Sequence, residues 1–128
     1  MAGRLFDTDI LVDTLRGARN AGPRLEVAAN LGILYTSSVT VFELECGALA
    51  KDERLKIQRL LAYFDVVSLD HASAVEAGAI DRTLRAAGIR LDARDTMIAG
   101  TALAYSMELV TRNRRHFERV PGLILSDL

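Results

Sequence analysis

Six acidic or amide side chains fall in four short stretches of the 128-residue chain: Asp7-Thr8-Asp9, Thr40-Val41-Phe42-Glu43, Asp92-Ala93-Arg94-Asp95 and Thr111-Arg112-Asn113. Each stretch stands just past a short apolar run or at the start of a helical apolar pattern. Taken singly, every one of these acids has an ordinary explanation. Asp7 can cap a helix, Thr40-x-x-Glu43 fits a capping box, and Asp92 with Asp95 fits an N-cap followed by a favourable acid one turn in. Taken together they suggest something else. Two unit charges about 4 Å apart repel by about 4 kcal/mol at an effective dielectric near 20, so caps alone gain nothing by converging. Acids that do converge call for a cation. A set of carboxylate and amide oxygens, without cysteine or histidine, suits Mg²⁺ or Mn²⁺. Such an ion activates water and neutralises charge on a phosphate, which is the chemistry of phosphodiester cleavage.

The elements that must position these groups alternate between strand and helix. Arg4 to Phe6 reads as the first strand, with a short helix after Asp7 that Gly17 stops. Gly22-Pro23 opens a second helix, through Leu25, Ala28, Ala29 and Leu31. Ile33-Leu34-Tyr35 makes the second strand, and Thr36-Ser37-Ser38 offers caps for a helix from Val39 to Leu49. A helix through Leu55, Leu60 and Leu61 follows, then a third strand at Val66-Val67-Ser68-Leu69. Asp70 caps a long helix whose inward stripe is Ala77, Ile80, Leu84 and Ala87. Leu91-Asp92 introduces another helix, whose small residues (Ala99, Gly100, Ala102, Ala104) suit close packing on a sheet. Leu109-Val110-Thr111 and Leu123-Ile124-Leu125 are the fourth and fifth strands. Such alternation predicts an α/β fold, a single domain over residues 1–128 with a five-stranded, mostly parallel sheet sandwiched between helices. In such sheets ligands bind outside the carboxyl ends of the strands. All the acids but Glu43 fall near that edge by construction, and Glu43 can lean over it from one helical turn in.

Composition narrows the function. A net charge of −1 argues against a broadly basic nucleic-acid coat. Yet 14 of the 16 cations are Arg, the better fork for phosphate. The only basic cluster is Arg112, Arg114, Arg115, His116 and Arg119. It reads either as a solvated turn or as a local phosphate site beside the fourth strand. The seven aromatics are too scattered to make a base-stacking platform. The lone Cys46 excludes an internal disulfide and reads as a small packed residue on the Glu43 helix. No run reaches membrane-spanning length, and Met1 to Arg4 leads straight into a strand, which points to a cytoplasmic protein. A mean hydropathy of +0.17 leaves apolar surface for a partner or a second copy, and the helix from Leu55 to Phe64 offers more apolar residues than one face needs.

Four blocks carry a resemblance: Leu5-Phe6-Asp7-Thr8-Asp9-Ile10-Leu11, Val39-Thr40-Val41-Phe42-Glu43-Leu44-Glu45-Cys46-Gly47, Asp95-Thr96-Met97-Ile98-Ala99, and Leu109 to Phe117. In order and spacing they resemble PIN-domain ribonucleases, most of all the VapC toxins of toxin–antitoxin pairs. Phe117-Glu118-Arg119-Val120-Pro121-Gly122-Leu123 is similar to the end of that branch. The resemblance implies a Mg²⁺- or Mn²⁺-dependent endoribonuclease restrained by a small antitoxin bound in the active-site groove; the apolar excess points to a homodimer or a toxin–antitoxin hetero-oligomer. The resemblance also implies acidic ligands at Asp7, Glu43 and Asp95. Asn113 falls where many members carry a fourth Asp, Thr111 where a hydroxyl often stands near the metal, and Asp9 where Asn is usual. Arg112, Arg114 and Arg115 are the candidates for RNA phosphates.

Two other readings use the same residues. Asp7-Thr8-Asp9 has the Asp-x-Asp form of haloacid-dehalogenase-type phosphatases, with Asp7 as nucleophile and Asp9 as general acid/base. Against it, neither Lys51 nor Lys56 follows a late strand, where the phosphate-holding lysine belongs. A PIN-like scaffold with a degraded site is the other, and Asn113 is the feature in its favour.

Overall fold

The computed structural model describes residues 3–128. Among them the chain forms β1 (Arg4–Phe6), α1 (Thr8–Arg16), α2 (Ala21–Leu31), β2 (Leu34–Ser37), α3 (Ser38–Gly47) and α4 (Lys51–Leu61). It continues with β3 (Phe64–Val67), α5 (His71–Ala86), α6 (Ala93–Ala104), β4 (Glu108–Val110), α7 (Arg114–Phe117) and β5 (Leu125–Ser126). The five strands are all parallel and lie in the order β3-β2-β1-β4-β5. β1 is therefore central, paired with β2 at Phe6↔Thr36 and with β4 at Phe6↔Val110. The carboxyl ends of β1 and β4 stand side by side, and this sets Asp7 next to Thr111.

Side chains alternate across each strand, so the sheet has two apolar faces. Phe6, Leu34, Phe64 and Val110 meet α1, α2 and α4 through Ile10, Leu11, Leu25 and Ile57. Leu5 and Leu109 face the other way, onto Ile80, Leu84, Ile98, Ala99 and Ala102 of α5 and α6. The helices are stopped and started by local chemistry. Gly17 ends α1 in the left-handed conformation that Gly adopts without penalty (φ 66°). Asp70 and Asp92 cap α5 and α6, accepting from Ser73 N and Arg94 N.

Several expectations shift. Ile33 stands exposed ahead of β2, and β3 begins two residues early, because Phe64 pairs with Leu34 and packs edge-on against Phe6 at 5.8 Å. Leu31, Ala29 and Ala87 face solvent. Cys46 is exposed on α3 instead of packed. Gly100 packs not on the sheet but on α5, where a Cβ would sit 2.6 Å from the backbone N of Ala77. The short helix α7 was not anticipated, since four residues carry no periodicity.

Candidate active site

The turn out of β1 buries Asp7, which is only 2% exposed. Its Oδ1 accepts from Thr8 N at 2.8 Å, so the capping role is real. Its Oδ2 faces the other way and accepts from Thr111 Oγ1, also at 2.8 Å, across the β1–β4 junction. Burial, then the charge of Asp9, pushes the carboxyl from an ordinary 3.8 up to about 7. The two hydrogen bonds oppose that rise, and the charge of Asp95 adds to it.

Asp9, in the first turn of α1, points at the same junction. Its Oδ2 accepts from Arg112 N at 2.9 Å and lies 3.4 Å from Thr111 Oγ1. Its Oδ1 is buried without a hydrogen-bond partner among the described residues. Burial is also the main cause of its raised pKa.

Glu43 is no capping-box residue. Ser37 caps α3, accepting from Thr40 N at 3.0 Å, and this frees the Glu43 side chain to turn towards β1. There its Oε1 accepts from Thr8 Oγ1 at 2.8 Å, while Thr8 Oγ1 also lies 2.9 Å from Thr40 Oγ1. Two hydroxyls thus tie α3 to the start of α1. Asp95 completes the edge from the first turn of α6. Its carboxyl is raised by burial and by the charges of Asp92 and Glu43, and opposed by His116 and Arg94. His116 Nδ1 lies 3.7 Å from Asp95 Oδ2, and Arg94 Nη1 lies 4.0 Å from Glu43 Oε2. Asp7, Asp9, Glu43 and Asp95 therefore share one edge, where Asp7 feels the charges of Asp9 and Asp95 and Asp95 feels that of Glu43, while Asp92 caps its helix at the rim.

The groups that sequence reasoning missed are mostly partners of these acids. Thr8 and Arg94 sat inside the acidic motifs as spacers, and Thr40 only as a candidate helix cap. Asp13 lies four residues after Asp9, on the same face of α1, and that spacing was the available signal. It is buried, and both its oxygens accept from Arg112, Nε to Oδ2 at 2.7 Å and Nη2 to Oδ1 at 3.2 Å. The Arg112 guanidinium is thereby paired with Asp13 at the edge of the site. Arg114 makes an exposed pair with Asp127 at 3.1 Å. Arg115 is exposed, and Asn113 is exposed with its backbone N–H donating to Thr111 Oγ1 at 3.0 Å.

Could these groups hold a divalent cation? The donors are all oxygens, one of them is orphaned in the interior, and the most buried carboxyl makes no ion pair among the described residues. Those are the marks of a site that a hard cation would relieve. Among the described residues, no three acid, histidine or cysteine side chains already close on one point. The set is an open one, and this suits Mg²⁺, which is held by one or two carboxylates and keeps several waters.

Comparison with known proteins follows the same lines. Residues 4–123 match the PIN domain family. The chain is 34% identical over 127 residues to the tRNA(fMet)-specific endonuclease VapC of Shigella flexneri, covering 96% of each. It is 36% identical over 113 residues to ribonuclease VapC10 of Mycobacterium tuberculosis, covering 88% of this chain and 84% of that one. The DNA-bound VapBC structure from Salmonella typhimurium superposes with a TM-score of 0.89 at 27% identity, covering 99% and 98% of the two chains.

Proposed function

The chain belongs to the PIN-domain family, with VapC ribonucleases as its relatives, and on that premise we propose that it is a metal-dependent endoribonuclease, the toxin of a toxin–antitoxin pair. The observation that carries this reading is that Asp7, Asp9, Glu43 and Asp95 lie along one edge of the sheet beside the end of β1. Asp7, Glu43 and Asp95 would hold Mg²⁺ or Mn²⁺, with Asp9 and Asn113 beside them. When bound, the ion supplies an activated water and charge neutralisation at the scissile phosphate.

The chain's own residues do the rest. Thr111 and the Thr8 N–H fix both oxygens of Asp7, so that carboxyl needs no reorientation before the reaction. Thr8 fixes Glu43 in the same way. His116 stands on Asp95 at the rim, on the side from which Arg114 and Arg115 would meet RNA phosphates.

The protein acts in the cytoplasm, where its RNA substrate is. No helix among the described residues is long and apolar enough to cross a membrane. A small antitoxin would restrain it, as the VapBC pairing of its structural relative suggests. Exposed apolar residues such as Leu31, Phe42 and Tyr63 leave surface for that partner or for a second copy. The test is cleavage of RNA by the purified chain. We expect cutting that needs Mg²⁺ or Mn²⁺, stops with EDTA, and is lost in Asp7→Asn and Asp95→Asn. Undiminished cutting by both variants would overturn the site assignment.

A further inference from the structure

A cleft of about 800 Å³ opens beside the acidic edge and shares Thr111 with it. Four guanidinium groups line it, from Arg19, Arg24, Arg112 and Arg114, against two side-chain carboxylates, Asp13 and Asp127, and the main-chain carboxyl of Leu128. The pairing among them leaves positive charge to spare. Arg112 takes both oxygens of Asp13, so Arg19 reaches that carboxylate only at 3.6 Å. Arg114 pairs with Asp127 in the open, where an ion pair is weak and readily exchanged for another anion. Arg24, exposed on α2, makes no ion pair among the described residues. Arg19 and Asn20 both hold left-handed backbone (φ 54° and 56°), and the turn they make carries the Arg19 side chain to this mouth.

We propose that this cleft is an anion site for the phosphodiester backbone of the RNA strand flanking the scissile bond, with Arg24, Arg19 and Arg114 as its phosphate ligands. The proposal rests on the ribonuclease reading and extends it beyond the acids. Guanidinium forks match phosphate oxygens two at a time. Its volume is within the range of small-molecule pockets, enough for a nucleotide. An RNA is favoured over an acidic peptide because the cleft runs into the acidic edge at Thr111. A strand lying along the arginines delivers its next phosphate to Asp7. Arg112 stays on Asp13 and walls the cleft instead of binding substrate.

The experiment measures binding of a labelled single-stranded oligoribonucleotide by fluorescence anisotropy, in EDTA so that no cutting occurs, over a series of KCl concentrations. Parent, Arg24→Glu, Arg19→Ala/Arg24→Ala and, as a charge control on α4, Arg59→Glu are compared. Losing one charge-assisted contact is expected to weaken binding about tenfold at low salt. The slope of log affinity against log salt should fall by about 0.7 for each phosphate contact removed. Arg59→Glu should bind as the parent does. Cleft variants with the parent's affinity and slope overturn the proposal, as does an equal loss in Arg59→Glu. If the parent still cuts RNA with Mg²⁺ in that case, the ribonuclease reading stands without the cleft. A parent that neither binds nor cuts RNA overturns both.

Discussion

Replacing Asp7 by Asn should make the metal-free protein more stable at neutral pH, not less. The folded carboxyl titrates at about 7, whereas an ordinary aspartate titrates at 3.8. Between those values the folded protein keeps a proton that the unfolded chain has released. Stability is therefore full below the lower value, declines as pH rises through the window, and levels off above about 7. At about 1.4 kcal/mol per pH unit, the window is worth about 4 kcal/mol. Asparagine carries no such charge. Its Oδ1 can still accept from Thr8 N, and Asn caps helices about as well as Asp. The Thr111 hydroxyl can rotate to accept from the new amide or to donate to Asp9 Oδ2. Urea unfolding in EDTA, repeated from about pH 4 to about pH 8, reads the effect directly. The parent should lose several kcal/mol across the series, and Asp7→Asn should lose much less, with a residual slope from Asp9 and Asp95. Parallel lines for the two proteins, or a variant less stable than the parent at the alkaline end, would refute the reasoning.

The same charges should answer to metal: Mg²⁺ should raise the melting temperature of the parent more than that of Asp95→Asn, by mass action on the better-occupied site, and equal shifts in thermal melts would count against a shared ion. Arg112→Ala leaves the buried Asp13 with only the distant Arg19, and should cost about 3 kcal/mol. Arg114→Ala breaks an exposed pair and should cost less than about 1 kcal/mol, a contrast that denaturant midpoints of the two variants will show. Gly100→Ala forces a methyl against the α5 backbone at Ala77 and should destabilise by about 1–3 kcal/mol, read from the same curves, whereas an unchanged midpoint would mean that α5 and α6 part freely.

Legibility followed locality. β1, the Gly17 stop and the caps at Asp70 and Asp92 depend on residues a few positions apart, and they lie where local chemistry puts them. The parallel pairing of five strands needed only their alternation with helices, whereas the order β3-β2-β1-β4-β5 is set by long-range packing that no local pattern records. Boundaries failed where a distant contact decided them. Tyr63-Phe64 looks like a helix tail, and only the pairing with Leu34 and the contact with Phe6 make Phe64 a strand residue. Thr40-x-x-Glu43 has the spacing of a capping box, but Ser37 was an equally good cap three residues earlier, and tertiary contact with Thr8 settled the choice. Arg112 shows the limit most clearly. In the sequence it is one member of a charge run; its partner Asp13 stands 99 residues away and is hidden in a helix that reads as ordinarily amphipathic.

One arrangement accounts for both the acids and the arginines at this edge. Thr111 lies at the division: its hydroxyl donates to Asp7 and accepts from Asn113 N, with Asp9 on one side and Arg112 on the other. Negative charge collects towards α1, α3 and α6, and positive charge towards α2 and α7. Asn113 stands on the positive side, so an aspartate there would neutralise its neighbours before it could serve an ion. Asp9 sits across Thr111 in the buried half, where its charge adds to that of Asp7 and where one oxygen is left unbonded. Asn113 and Asp9 thus put the uncharged side chain on the basic side of the junction and the charged one on the acidic side, which sharpens the boundary between the two.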